Sequence, residues 1–220
     1  MQEAEARGIC IDVLPFIQTE PVSLTGAGEK IDQALEASAK IVFTSVNAVE
    51  AVASKIKDQK FVRKIFCIGY ATKQSVVKYF GEQSIVGIAD NAKELVKTIL
   101  DANVVELIFF CGDQRRDELP DQLKKNNITV KEIVVYKTIL TPRRIEKKYD
   151  GILFFSPSAV KSFFGLNKIP DQTVLFAIGN ATADEIKCYS KNKTVVSDVP
   201  TRETLTDKVI SYFQINPIHH

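Results

Sequence analysis

Apolar residues along this chain follow two alternating rhythms. Short unbroken runs such as IVF at 41–43, IFCI at 65–68, LIFF at 107–110, ILFF at 152–155 and VLFAI at 174–178 have the length and β-branched or aromatic content of buried strands. Between them the apolar positions recur every three or four residues, the period of a helix with one buried face. The spacing predicts a helix end closed by Gly8, a buried strand over ICIDVLPFI, and an extended segment marked by Pro15 and Pro21. A helix over 29–39 is expected next. Strands are then predicted at 40–44, 64–69, 84–88, 104–110 and 128–136, with helices at 47–57, 71–80 and 91–101 and another within CGDQRRDELPDQLKK. The rest continues the alternation, with strands at 151–155, 173–178 and 194–197 and helices at 159–166, 181–190 and 201–213. Parallel strands need a crossover and a helix supplies it, so the fold class is α/β with parallel sheets covered on both faces.

The alternation also repeats. Ser45 of FTSVNAV maps onto Ser156 of FFSPSAV at an offset of 111, Gly69 onto Gly179 at 110, and Leu95 onto Leu205 at 110. Three consecutive units in one register imply two similar parallel-sheet domains, here expected to be flavodoxin-like. The unit at 104–136 has no counterpart after Phe213, but NNITVKEIVVYKT aligns with RGICIDVLPFIQT, Asn127 over Gly8 and Ile128 over Ile9. One domain is therefore inserted in the other. The outer one takes 1–14 and 142–220, the inserted one 22–135, and 15–21 with 136–141 form a two-stranded connector. In the same register Met1 falls over Pro120, so the outer domain has no equivalent of 104–119. Either a truncated start or one empty sheet position is expected.

Charge adds exclusions. The chain has 29 basic and 27 acidic residues, a net charge of +2, which gives no polybasic argument for nucleic acid or a membrane surface. No apolar run approaches the roughly 20 residues of a membrane span, and MQEAEARG is not a signal peptide. A soluble cytoplasmic monomer is expected. Cys10, Cys67, Cys111 and Cys188 form no CxxC pair and read as buried, reduced thiols in or beside strands. The two histidines, His219 and His220, lie at the terminus, which leaves no histidine chemistry or His-rich metal site in the body of the chain.

In open α/β sheets ligands bind beyond the carboxyl ends of the strands. Here those ends carry SVN, GYAT, CGDQRR, SPS and GNAT, each opening a helix. Free N–H groups and the helix dipole favour anions there, and small residues permit close approach. Ser45, Asn47, Gly69, Thr72, Gly112, Arg115, Ser156, Ser158, Gly179 and Thr182 are the candidate binding residues. Ser45, Asn47, Ser156 and Ser158 are equally good helix N-caps, and Arg115 and Arg116 could be solvated helix residues. There is no GxGxxG after a first strand, no GxxxxGK[ST] and no GxSxG, so a nucleotide fingerprint and a nucleophile elbow are both missing.

FTSVNAVEAV, CGDQRRDELPDQL, VVYKT, FFSPSAV and AIGNATADE, in that order, resemble the motifs of the uroporphyrinogen-III synthase family over nearly the whole chain. The resemblance implies two α/β domains on a two-strand ladder, no metal and no cofactor. It implies hydroxymethylbilane, a linear tetrapyrrole with eight carboxylates, as substrate, and the preceding bilane-forming enzyme as a candidate partner. It also makes Tyr136 of VVYKT the candidate to protonate or hold the departing hydroxyl, and Thr182 a carboxylate contact. A non-catalytic tetrapyrrole-binding module of the same fold is the alternative. Two departures stand out: Asn180 and Ala181 replace the Pro and Thr often found in the family, and the strand that usually opens the outer domain, with its polar turn, has no counterpart.

Overall fold

In the computed structural model, residues 2–22, 31–34, 39–56 and 63–216 are described. The chain divides into two compact α/β units, Thr19–Thr138 and the pair Met1–Gln18 with Ile139–His220. The first element, α1 (Gln2–Glu5), ends in a turn at Gly8, whose φ of +74° is a conformation that favours glycine.

Residues 9–16, predicted as a buried strand, form none; strand begins only with β1 (Ile17–Pro21). A strand needs a neighbour to pair with, and among the described residues none pairs with 9–16. The segment is held by side chains instead. Asp12 Oδ2 accepts from Lys147 Nζ at 2.7 Å and from the Tyr149 hydroxyl at 2.8 Å, and the Phe16 ring packs edge-on against Phe163. Cys10 is consequently exposed, as is Cys188 beyond a helix end, so only Cys67 and Cys111 are the buried thiols expected of all four.

In the unit Thr19–Thr138 the predicted helix at 29–39 lies outside the described residues except for a helical turn at 31–34. The strands β2 (Lys40–Phe43), β3 (Ile65–Ile68), β4 (Ile85–Ala89), β5 (Glu106–Gly112) and β6 (Thr129–Leu140) pair in parallel, and with β1 the sheet order is β1-β6-β5-β2-β3-β4. Alternation along β2 shows why its run is wholly apolar. Ile41 and Phe43 pack with Ala48, Val49 and Val52 of α2 (Val46–Ala53) and Val76 of α3 (Tyr70–Phe80). Val42 faces the opposite layer, with Leu95 and Ile99 of α4 (Ala92–Asp101) and Leu123 of α5 (Glu118–Lys125). Each such side chain, buried from water, contributes about 1.5–3 kcal/mol.

β6 outruns its prediction by four residues. The Val22 N–H donates to Val135 O and the Thr141 N–H to Phe16 O, both at 3.0 Å, so β1 and the far end of β6 run antiparallel to one another. The boundaries between the units, at 18/19 and 138/139, fall inside these two strands.

The other unit has a three-stranded parallel sheet, β7 (Gly151–Phe154), β8 (Val174–Ala177) and β9 (Thr194–Val196), in that order. On one face lie Val160 and Phe163 of α6 (Pro157–Phe164) and Ile186 of α7 (Asn180–Lys187); on the other lie Leu205 and Val209 of α8 (Arg202–Ile215). Among the described residues β7 pairs only with β8, whereas its repeat partner β2 is paired on both sides. Leu95 and Leu205, matched in the repeat, are both fully buried.

Candidate active site

The chain connections diverge at the carboxyl end of the larger sheet. β2 and β5 are parallel neighbours, Phe43 opposite Phe110, but the chain leaves β2 toward β3 on one side and leaves β5 toward β6 on the other. Diverging connections at such a switch point open a crevice in doubly wound sheets. Ser45 stands at the end of β2 and Gly112 at the end of β5, one on each side of it.

Tyr136 reaches this point from β6, one strand further out. The register slips between Cys111 and Gly112, so that Cys111 faces Val134 but Gly112 faces Tyr136. That bulge turns Tyr136 over the end of β5. Its ring lies across Gly112, where an added β-carbon would stand 2.7 Å from the phenol oxygen, and the hydroxyl meets Ser45 Oγ at 3.2 Å. The backbone is fastened as well. The Asp113 N–H donates to Tyr136 O at 3.1 Å, and Asp113 Oδ1 accepts the Thr138 N–H at 2.9 Å. The sequence reading missed Asp113, for which the only available signal is its place directly after the small residue that ends a buried run.

Ser45 has a second task. With extended backbone it is the N-cap of α2, its Oγ accepting the Ala48 N–H at 3.2 Å. A side-chain cap of this kind is worth about 1 kcal/mol. Asn47, in the first turn, is exposed.

Gly69 caps α3 by backbone alone, with φ +82°, and open space lies where its side chain would be. Thr72, one turn on, is buried. Arg115 is committed within its own unit: its guanidinium pairs with both Asp117 and Glu132, and Glu132 also accepts from Lys124 Nζ at 2.8 Å. Hydrogen bonding to Asp117, with the charge of Glu132 adding to it, raises the Arg115 pKa further above its ordinary value. Arg116 is exposed. The Cys111 thiol beneath this turn is pushed up to about 11 by burial, which keeps it protonated and unreactive at neutral pH.

Within the other unit the equivalent corners are simpler. Ser156 caps α6, its Oγ accepting the Ala159 N–H at 3.2 Å, with Pro157 pre-set at the first helical position and Ser158 half-buried behind it. Gly179 caps α7 with open space beside it, and its carbonyl accepts the N–H of Thr182, which is buried. The structure thus brings Ser45, Gly112 and Tyr136 into direct contact. Gly69, Thr72 and Asn47 stand at neighbouring strand ends of the same sheet, and Ser156, Ser158, Gly179 and Thr182 at the strand ends of the second. Among the described residues no group of three His, Cys, Asp or Glu side chains could hold a metal ion, and no helix is long and apolar enough to cross a membrane.

Residues 1–207 match the family described as uroporphyrinogen-III synthase HemD. The uroporphyrinogen-III synthase of Saccharomyces cerevisiae is 26% identical over 208 residues, 78% of this chain and 75% of that protein. The fold is similar to the crystal structure of uroporphyrinogen-III synthetase from Helicobacter pylori, with a TM-score of 0.68 at 16% identity over 90% of this chain and 92% of that one. It is also similar to a mutant uroporphyrinogen III synthase from Thermus thermophilus, with a TM-score of 0.64 at 14% identity over 96% and 92% of the two chains.

Proposed function

The chain belongs to the uroporphyrinogen-III synthase family, and from that premise we propose that it is a cytoplasmic lyase that closes hydroxymethylbilane into uroporphyrinogen III with ring D inverted. The observation that carries this reading is the family match over residues 1–207. The larger sheet is compatible with the same reading: its five parallel strands, numbered along the chain, lie in the order 5-4-1-2-3, and the connections diverge between β5 and β2, the kind of switch point at which open α/β sheets bind ligands.

Departure of the terminal hydroxyl as water leaves an electrophilic azafulvene. The substituted carbon of ring D attacks it to give a spiro intermediate, the older bond to ring D breaks, and the ring recloses at the free carbon. The proton spent on the leaving water is returned when ring D sheds one and becomes aromatic again. No electrons are exchanged with an outside carrier. Since the bilane can also close unaided to the uninverted isomer, catalysis rests on folding and orienting it.

Tyr136 is the residue we assign as proton donor to the departing hydroxyl, because a phenol remains protonated at neutral pH and this one sits at the switch point. Asn47 and the helix start after Gly69 in one unit, and Ser156, Ser158 and the helix start after Gly179 in the other, supply N–H and hydroxyl donors for the carboxylates, while the buried Thr72 and Thr182 stand behind them. Arg115 acts indirectly, bracing the turn after β5 against Glu132. Product analysis tests the proposal: bilane generated in the presence of this protein is expected to yield the type III isomer, and type I alone would refute it.

A further inference from the structure

Ser45 was placed above among the residues that could bind substrate. Its geometry gives it another role, which rests on the assignment of Tyr136 as the proton donor. The Ser45 oxygen already accepts the Ala48 N–H, one of the otherwise unsatisfied donors at the start of α2. The same oxygen lies 3.2 Å from the Tyr136 hydroxyl, and either group could donate. We propose that Ser45 donates, so that Ala48 N–H, Ser45 O–H and Tyr136 O–H form one chain of donors running outward from the helix end, with Ser45 as a positioning residue for Tyr136.

Three observations support that direction. A hydroxyl has one proton, and among the described residues the partner within hydrogen-bonding distance of Ser45 Oγ besides Ala48 is the phenol oxygen. A donor received from a helix N-terminus polarises the Ser45 O–H and strengthens what it gives in turn. Finally, the Tyr136 phenol is already held against Gly112, where an added β-carbon would stand 2.7 Å from its oxygen. With its oxygen accepting from Ser45, the phenol's own proton is left for a ligand at the crevice. The opposite arrangement would spend that proton on Ser45 and leave the phenol as an acceptor, of no use to a departing hydroxyl. No covalent step is added; Ser45 holds the acid in the orientation the reaction needs.

The direction of the bond can be read without turnover. The Fermi doublet of tyrosine in the Raman spectrum responds oppositely to donating and accepting phenols, and the Tyr136 contribution is isolated by subtracting the spectrum of Tyr136→Phe. An accepting signature that disappears in Ser45→Ala is expected; a donating signature in the parent overturns the proposal.

Kinetics give the second arm. Ser45→Ala should lower kcat about five- to tenfold with KM nearly unmoved, should change kcat less than about twofold in the Tyr136→Phe background, and should be largely rescued by Ser45→Thr, which keeps the hydroxyl. Equal losses in both backgrounds, or a rise in KM alone, would make Ser45 a direct substrate contact and refute the positioning role. If the Raman result stands while the parent makes no type III isomer, the assigned reaction fails and the donor chain survives.

Discussion

A methyl group on Gly112 would occupy the place of the Tyr136 ring, so this glycine is required by close approach. Gly112→Ala is expected to push the phenol away from Ser45 and lower kcat by at least about tenfold, for an overpacking cost of about 1–3 kcal/mol in stability. A thermal melt and a rate measurement on the same sample check this, and an unchanged kcat would separate Tyr136 from the chemistry. Gly69 and Gly179 occupy matched places in the repeat but differ in kind. Gly69 has φ +82° and ψ 154°, which a side chain tolerates poorly, whereas Gly179 is fully extended with φ −174°. Gly69→Ala should therefore cost about 1–3 kcal/mol and Gly179→Ala within about 0.5 kcal/mol, as read from urea midpoints. The repeat marks both residues in the sequence, but a dihedral angle leaves no trace there. Nor could the meeting of Gly112 with Tyr136 be read: it depends on a register slip in a strand 24 residues away.

Most elements of the larger unit were legible because each buried strand reads as an unbroken apolar run and each helix as a three-to-four spacing. Ser45 and Ser156 start their helices at the positions their capping chemistry implies. The segment 9–16 misled because the same apolar run is written whether or not a neighbouring strand exists to pair with it. Thiol reactivity checks that difference. Burial raises Cys67 on β3 and Cys111 on β5 to about 11, so at neutral pH the reactive thiolate is a minute fraction of each. Alkylation of the folded protein at pH 7 should modify Cys10 and Cys188 and leave these two, whereas denaturant should release all four, as intact mass will show. Protection of Cys10 would restore the strand to this segment. As the pH rises toward 11 the buried pair should begin to react, because the raised values delay their ionisation.

For the molecule as a whole, the unit Thr19–Thr138 is inserted between the two segments, Met1–Gln18 and Ile139–His220, that form the other. The order of the motifs carried the family through the sequence, since each short motif alone is weak and their succession is not. What the sequence could not give was which corner holds a side-chain contact between strands. In the unit Thr19–Thr138 Tyr136 meets Ser45 at the switch point, whereas the matched corners of the other unit, at Ser156 and Gly179, close helix starts by hydroxyl and backbone. The central claim is that this arrangement steers a bilane that would otherwise close by itself, and the isomer ratio of the product measures it directly. Bilane released by the preceding enzyme and divided between tubes with and without this protein should give type III in the first and type I in the second. Type I in both, with the protein still folded at the end of the reaction, would contradict the account.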